Sequence, residues 1–151
     1  MPHSPTALSR GERRLRIALA AVFYFGAVGT IAELFLLEHF DETVQYAPFA
    51  ALLVAALALA LALMKPGAAT VRVTRWAMAI LALVGLVGIV LHYRSNVAFE
   101  LEMEPESGGL HLAWLALRGA TPSLAPGQLA QLGLIGFLFT LGHPALNGRN
   151  P

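Results

Sequence analysis

The sequence predicts an all-α integral membrane protein, folded as a four-helix transmembrane bundle. Hydrophobic residues make up 57% of its 151 positions and charged residues only 13%, whereas soluble domains average about 25% charged residues. Four long apolar stretches lie along the chain, at residues 17–37, 47–64, 76–93 and 127–142. Each is close to the roughly 17–25 residues that a helix needs to cross a hydrocarbon core of about 30 Å. Together with their connections they form one transmembrane domain, residues 15–144.

The charged residues are distributed unequally between the two ends of these stretches. The end that holds both termini carries eight of the ten basic residues against a single acidic residue, Glu12. The opposite end carries Arg94 and Arg118 against seven acidic residues: Glu38, Asp41, Glu42, Glu100, Glu102, Glu104 and Glu106. Because an excess of lysine and arginine in short loops marks the cytoplasmic side, we expect both termini to be cytoplasmic. The basic segments are interpreted as topology signals, and no nucleic-acid partner is expected.

The composition, rich in alanine, leucine and arginine, is typical of a bacterial inner (plasma) membrane protein. Residues 1–14 are predicted to form a disordered cytoplasmic arm, and residues 145–151 a cytoplasmic tail. The chain contains no cysteine, which excludes disulfides and thiol chemistry. The first apolar stretch is longer than the roughly 7–15 residues of a signal-peptide core, so we expect it to be retained as a helix.

The first two helices are expected to form an antiparallel hairpin, because the turn between them, residues 38–46, is short. The second helix has no polar side chain between Ala50 and Met64. It is therefore predicted to face lipid or to serve packing alone. A second short link, residues 65–75, leads into the third helix.

The longest connection, residues 94–125, is predicted to lie on the outer side and to have structure of its own. From Val97 to Glu104, apolar residues alternate with glutamates, which is the two-residue period of an extended segment with one apolar face. This pattern places Glu100 and Glu102 on one shared face. After a break rich in proline and glycine, three apolar residues recur with the spacing of an amphipathic helix: Leu110, Trp114 and Leu117. We expect that short helix to lie flat on the outer membrane surface or to cap the bundle.

Two tandem helical hairpins are an alternative description of the same bundle. When the sequence is shifted by 59 positions, residues around the first helix coincide with identical residues around the third. The pairs are Arg13 with Arg72, Arg16 with Arg75, Ala18 with Ala77, Ala20 with Ala79, Gly26 with Gly85, Val28 with Val87 and Gly29 with Gly88. A duplicated hairpin would give two parallel copies related by an axis along the membrane normal. Coincidence in a chain rich in alanine, leucine and glycine explains the matches equally well.

On the first and third helices, an ionisable residue follows two glycines on one helical face. The sets are Gly26, Gly29 and Glu33, and Gly85, Gly88 and His92, each at i, i+3 and i+7. Small residues let membrane helices approach closely, and polar groups beyond them then hydrogen-bond across the contact. An ionisable residue within a span is a functional candidate; the alternative is that Glu33 pairs with His92 or Arg94 and only locks the bundle. Gly133 and Gly136 predict a further packing face on the fourth helix.

The candidate site is a polar cluster at the outer end of the bundle. Its members are Glu33, His39, His92, Tyr93, Arg94, Asn96, Glu100 and Glu102. Histidine and carboxylate ligands together bind zinc and other divalent ions, and a metal site would use His39, His92 and Glu100. The chain lacks metal-ligand spacings such as H-x-x-x-H, and exposed carboxylates are usually a solvated face. Neither a metal nor a cofactor is therefore expected.

Three kinds of function remain open, each with the lipid bilayer as a partner. The glycine faces, the surface helix and the absence of a hydrolase motif such as G-x-S-x-G favour an accessory or structural subunit of a membrane complex, or a self-associating bundle, over an enzyme. In overall plan, four short helices with a glutamate in the first, the chain resembles the small multidrug resistance transporters. That resemblance implies a small proton-coupled or ion transporter that uses Glu33. The third hypothesis is a metal-binding protein of the extracytoplasmic face.

Overall fold

A computed structural model of the protein describes residues 9–146, and the regular structure within that range is helical. The five α-helices are α1 (Arg10–Leu36), α2 (Tyr46–Met64), α3 (Ala68–Met103), α4 (Gly109–Leu117) and α5 (Gly127–Thr140). Short 3₁₀ turns precede α2 and follow α5, at Thr43–Gln45 and Pro144–Leu146. The all-α prediction is confirmed for the described residues, which contain no β-strand.

Three helices are long and apolar enough to cross a membrane: α1, α2 together with the 3₁₀ turn before it, and α3. Their outward-facing side chains are largely apolar, as with Phe25 at 84% exposure and Leu57 at 56%. Apolar surface on this scale is unusual on a soluble monomer and is what lipid-facing helices present. α5 is shorter, with 14 residues, and is therefore about 21 Å long. The prediction of a membrane protein is thus supported by three spans rather than four.

α1 begins earlier than the apolar stretch, at Arg10, because Ser9 and Glu12 form a capping box. The Ser9 hydroxyl accepts from the Glu12 N–H at 3.1 Å, and the Glu12 carboxylate accepts from the Ser9 N–H at 2.8 Å. These two bonds satisfy N–H groups that a helix start otherwise leaves without partners. The predicted disordered arm is therefore helical from Arg10 to its end at residue 14, and residues 1–8 lie outside the described part of the chain.

α3 continues for ten residues beyond the predicted end of the third helix, through residues 94–103. The prediction of an extended segment here is wrong. Glutamate, leucine and methionine all favour helix, and that preference prevails over an alternation only eight residues long. Since successive helical residues are about 100° apart, Glu100 and Glu102 lie about 200° apart and do not share a face.

α3 packs chiefly against α5, and α5 also packs against α1. α2 packs on α3, whereas α1 and α2 make little contact with each other. Within the described residues, the backbones of α1 and α3 do not meet, because α5 lies between them. The core comes from α1, α2, α3 and α5, which supply Phe23, Leu59, Met78 and Phe139 among others, each at most 2% exposed.

The predicted packing glycines gather mainly where α3 and α5 meet. A Cβ atom built on Gly85 would lie 2.4 Å from the Ala130 nitrogen, and one on Gly133 would lie 2.6 Å from the Ala82 nitrogen. Gly88 and Gly136 likewise lie against Pro126 and Met78, and Gly26 of α1 lies against Leu132 of α5. Gly29 differs, because no atom lies within 4 Å of a Cβ at that position. Five of the six glycines thus permit close helix contacts. Each of these contacts involves α5 or Pro126, the residue just before it.

Candidate functional site

The ionisable residues of the predicted outer cluster do not form one compact site. Glu33 lies on the exposed side of α1, and Arg94 is exposed on α3. Within residues 9–146 the one close contact between a basic and an acidic side chain joins His111 and Glu104 at 3.9 Å, so Glu33 does not pair with Arg94 or His92. The same residues hold no group of three or more histidines and carboxylates placed to bind a metal ion.

The structure does bring His39 and His92 together. The turn after α1 places the half-buried ring of His39 with its centroid 6.2 Å from that of His92 on α3. The Nδ1 atom of His92 lies 3.2 Å from the carbonyl oxygen of Pro122. Burial, and then the neighbouring His92, lower the pKa of His39 from its usual value. This pair joins the turn after α1 to α3 at one end of the bundle.

The other predicted members of the cluster follow one another along the end of α3. Tyr93 and Glu100 are half-buried, whereas Glu102 is exposed. Their placement on successive turns of one helix, rather than on an extended loop, spreads them over several faces and over about 14 Å of helix length. They therefore line the side of α3 instead of converging on a point.

Asn96 is the member of the predicted cluster with the most contacts, and it is 1% exposed. Its amide nitrogen lies 2.9 Å from the Ala116 carbonyl oxygen, 2.6 Å from that of Thr121 and 2.9 Å from the Ser123 hydroxyl. Its amide oxygen accepts from the Thr121 N–H at 3.1 Å. Gly119 lies directly against this side chain, 2.5 Å from the Asn96 Cγ to a Cβ built there. Asn96 therefore ties the end of α4 and the loop that follows it to α3.

α4 runs back along the end of α3 and forms with it the α3–α4 hairpin, residues 94–117. At one end of the hairpin His111 faces Glu104, and at the other Ala116 faces Asn96. The helix predicted around Trp114 is thus present, with one side packed on α3. Its other side is apolar and exposed: Leu110 is 90% exposed, and Trp114, stacked at 5.7 Å beneath the Arg118 guanidinium, is 57% exposed.

At the opposite end of the bundle, two arginines reach the C-terminus of α5. Arg16 of α1 is buried and donates to the carbonyl oxygens of Phe139 and Leu141, the latter at 2.9 Å. Arg75 of α3 donates to the Thr140 carbonyl oxygen at 3.0 Å and to its hydroxyl at 3.2 Å. A helix leaves its last carbonyls unpaired and carries a partial negative charge there, so both guanidinium groups stabilise the α5 terminus. Sequence reasoning assigned these arginines only to topology, although their spacing of 59 residues marked them.

Five other basic side chains at this end are exposed: Arg10, Arg13, Arg14, Lys65 and Arg72. Within residues 9–146 none of them lies in an ion pair. Among the described residues, no carboxylate offsets their charge.

No known protein family, curated protein or solved structure matches the chain. Its function must be inferred from its own residues and their arrangement.

Proposed function

We propose that the protein is an accessory subunit of a membrane complex and that it binds its partner through the α3–α4 hairpin. The observation that carries the proposal is the apolar surface that the hairpin exposes beyond the membrane-spanning part of α3. The charge distribution supports a position of this hairpin on the extracytoplasmic side of a bacterial plasma membrane, with both termini cytoplasmic.

The hairpin extends past the lipid headgroups. The apolar part of α3 ends near Tyr93, and residues 94–103 add about 15 Å of helix. The headgroup layer extends only about 5–8 Å beyond the hydrocarbon core. Met103 and Leu110, 67% and 90% exposed, therefore lie beyond the headgroups, where large apolar side chains left exposed to water favour a site of protein contact.

The charges around this apolar tip indicate what kind of partner fits it. Four glutamates lie within three positions of Met103 in the sequence, namely Glu100, Glu102, Glu104 and Glu106. Two copies of the chain in the same orientation would bring these like charges together, which is unfavourable. A different protein with an apolar patch and a basic rim complements both the apolar side chains and the negative charge of the tip.

Glu33 does not favour the alternative of a carrier that transports through the interior of one chain. Its side chain lies on the exposed face of α1, and α5 separates that helix from α3. A substrate pathway inside the bundle would not meet this carboxylate.

The proposal is tested by purifying the tagged chain from its native membrane in a gentle detergent, followed by crosslinking and native mass spectrometry. We expect a stoichiometric partner that dissociates at high salt, because its rim is basic. The double variant Met103→Ser/Leu110→Ser should lose this partner. Leu124→Ser is the matched control, since Leu124 is 67% exposed but lies outside the hairpin. A lone wild-type monomer, or a complex that the double variant retains, would refute the proposal.

A further inference from the structure

We propose that the basic end of α1 binds an anionic phospholipid. Arg10 and Arg14 hold the phosphate, and one acyl chain lies along the exposed stripe of α1 directly below them. This site is at the end of the bundle opposite the α3–α4 hairpin, so it does not depend on the function proposed above.

The two arginines form a cation pair that no acidic side chain within residues 9–146 neutralises. Residues four apart share one face of a helix, and both side chains are exposed without an ion pair among the described residues. The nearest carboxylate on the helix, Glu12, lies about 200° around the axis from Arg10. It is engaged by the N–H of Ser9. Paired guanidinium groups bind phosphate oxygens through charge-assisted hydrogen bonds.

Below the pair, an exposed apolar stripe continues along the same side of α1. Ile17, Phe25 and Val28 are 53%, 84% and 67% exposed. At about 100° per residue, these side chains and the two arginines fall within a sector of about 80°. A lipid that lies along the stripe therefore has its headgroup at the arginines.

The dimensions of the stripe match one leaflet. From Ile17 to Val28 the helix rises about 16 Å, and half of the hydrocarbon core is about 15 Å thick. Arg14 lies about 4–5 Å beyond Ile17 and Arg10 about 10 Å beyond it, so the pair straddles a headgroup layer of about 5–8 Å. A soluble phosphate would use the cations alone, whereas a phospholipid uses both the cations and the stripe.

The site is tested on the full chain by native mass spectrometry, titrating phosphatidylglycerol and, separately, phosphatidylcholine into the detergent-solubilised protein. We expect the anionic lipid to bind more tightly. A basic residue near an anionic surface contributes about fivefold in affinity, so Arg10→Gln/Arg14→Gln should weaken phosphatidylglycerol binding about 25-fold. The matched control, Arg94→Gln/Arg118→Gln, removes the same charge at the other end and should bind as the wild type does.

Two further measurements distinguish a lipid site from a soluble-anion site and from a folding defect. Inorganic phosphate, added in excess over the lipid, should not displace phosphatidylglycerol; displacement would show a site for soluble anions and overturn the proposal. Circular dichroism should show the same helix content in both double variants, because all four arginines are exposed. Equal loss of lipid from both variants, or equal affinity for the two lipids, would also overturn it.

Discussion

Replacing Gly85 by alanine tests whether α3 and α5 are in close contact in the membrane. The added Cβ would lie 2.4 Å from the Ala130 nitrogen and 2.8 Å from the Pro126 carbonyl oxygen. Both are backbone atoms, so α5 itself must move. An extra methyl group in a well-packed core costs about 1–3 kcal/mol, and alanine returns up to about 1 kcal/mol through its helix propensity. If the clash costs about 3 kcal/mol, the upper end of that range, Gly85→Ala should lower the free energy of unfolding by about 2 kcal/mol.

Gly29→Ala is the matched control, because a Cβ there meets no atom within 4 Å. It should leave stability unchanged or raise it by up to about 1 kcal/mol. The two variants would be compared by titrating sodium dodecyl sulfate into mixed micelles and following helix content by circular dichroism. We expect a difference of about 2–3 kcal/mol between them. If Gly85→Ala is as stable as the wild type, the tight α3–α5 contact does not exist.

Three further predictions concern polar contacts. Asn96→Asp turns a buried donor into a carboxylate that faces carbonyl oxygens, so α4 should lose about 2 kcal/mol of local stability, measured as faster amide hydrogen exchange. Arg16→Gln removes charged donors from the α5 terminus and should lower the free energy of unfolding by about 2 kcal/mol; an unchanged detergent midpoint would contradict that contact. The lowered pKa of His39 means that the unfolded chain binds more protons below about pH 6.5. Stability should therefore be complete above that pH and decline as the pH falls through the folded pKa. The mutation His39→Gln should flatten this decline.

The positions of the helices could be predicted from the sequence where the ends of an apolar stretch mark the ends of a helix. α2 begins and ends within one residue of the predicted stretch, and α4 was expected from the spacing around Trp114. The extension of α3 was missed because its alternating pattern imitates a strand. Only the helix preference of glutamate, leucine and methionine, summed over residues 94–103, indicated that this segment is helical.

The contacts of the buried polar side chains could not be predicted from the sequence. Asn96 was placed in the outer cluster, yet nothing in the sequence shows that it bonds to backbone carbonyls 20 and 25 positions away. The same holds for Arg16 and Arg75, whose acceptors are backbone groups of α5. A backbone acceptor has no sequence signature, so contacts of this kind appear only once the helices are placed.

The short length of α5 explains why Arg16 is buried at the basic end of the bundle. In a hydrocarbon core of about 30 Å, a helix of about 21 Å ends inside the apolar layer. Its last carbonyls then have no water to pair with, and unsatisfied backbone groups are very costly in lipid. Long arginine side chains entering from α1 and α3 reach these carbonyls while their stems remain among apolar groups. Arg16 of α1 and Arg75 of α3 coincide when the sequence is shifted by 59 positions. Together they donate hydrogen bonds to carbonyls at the end of α5.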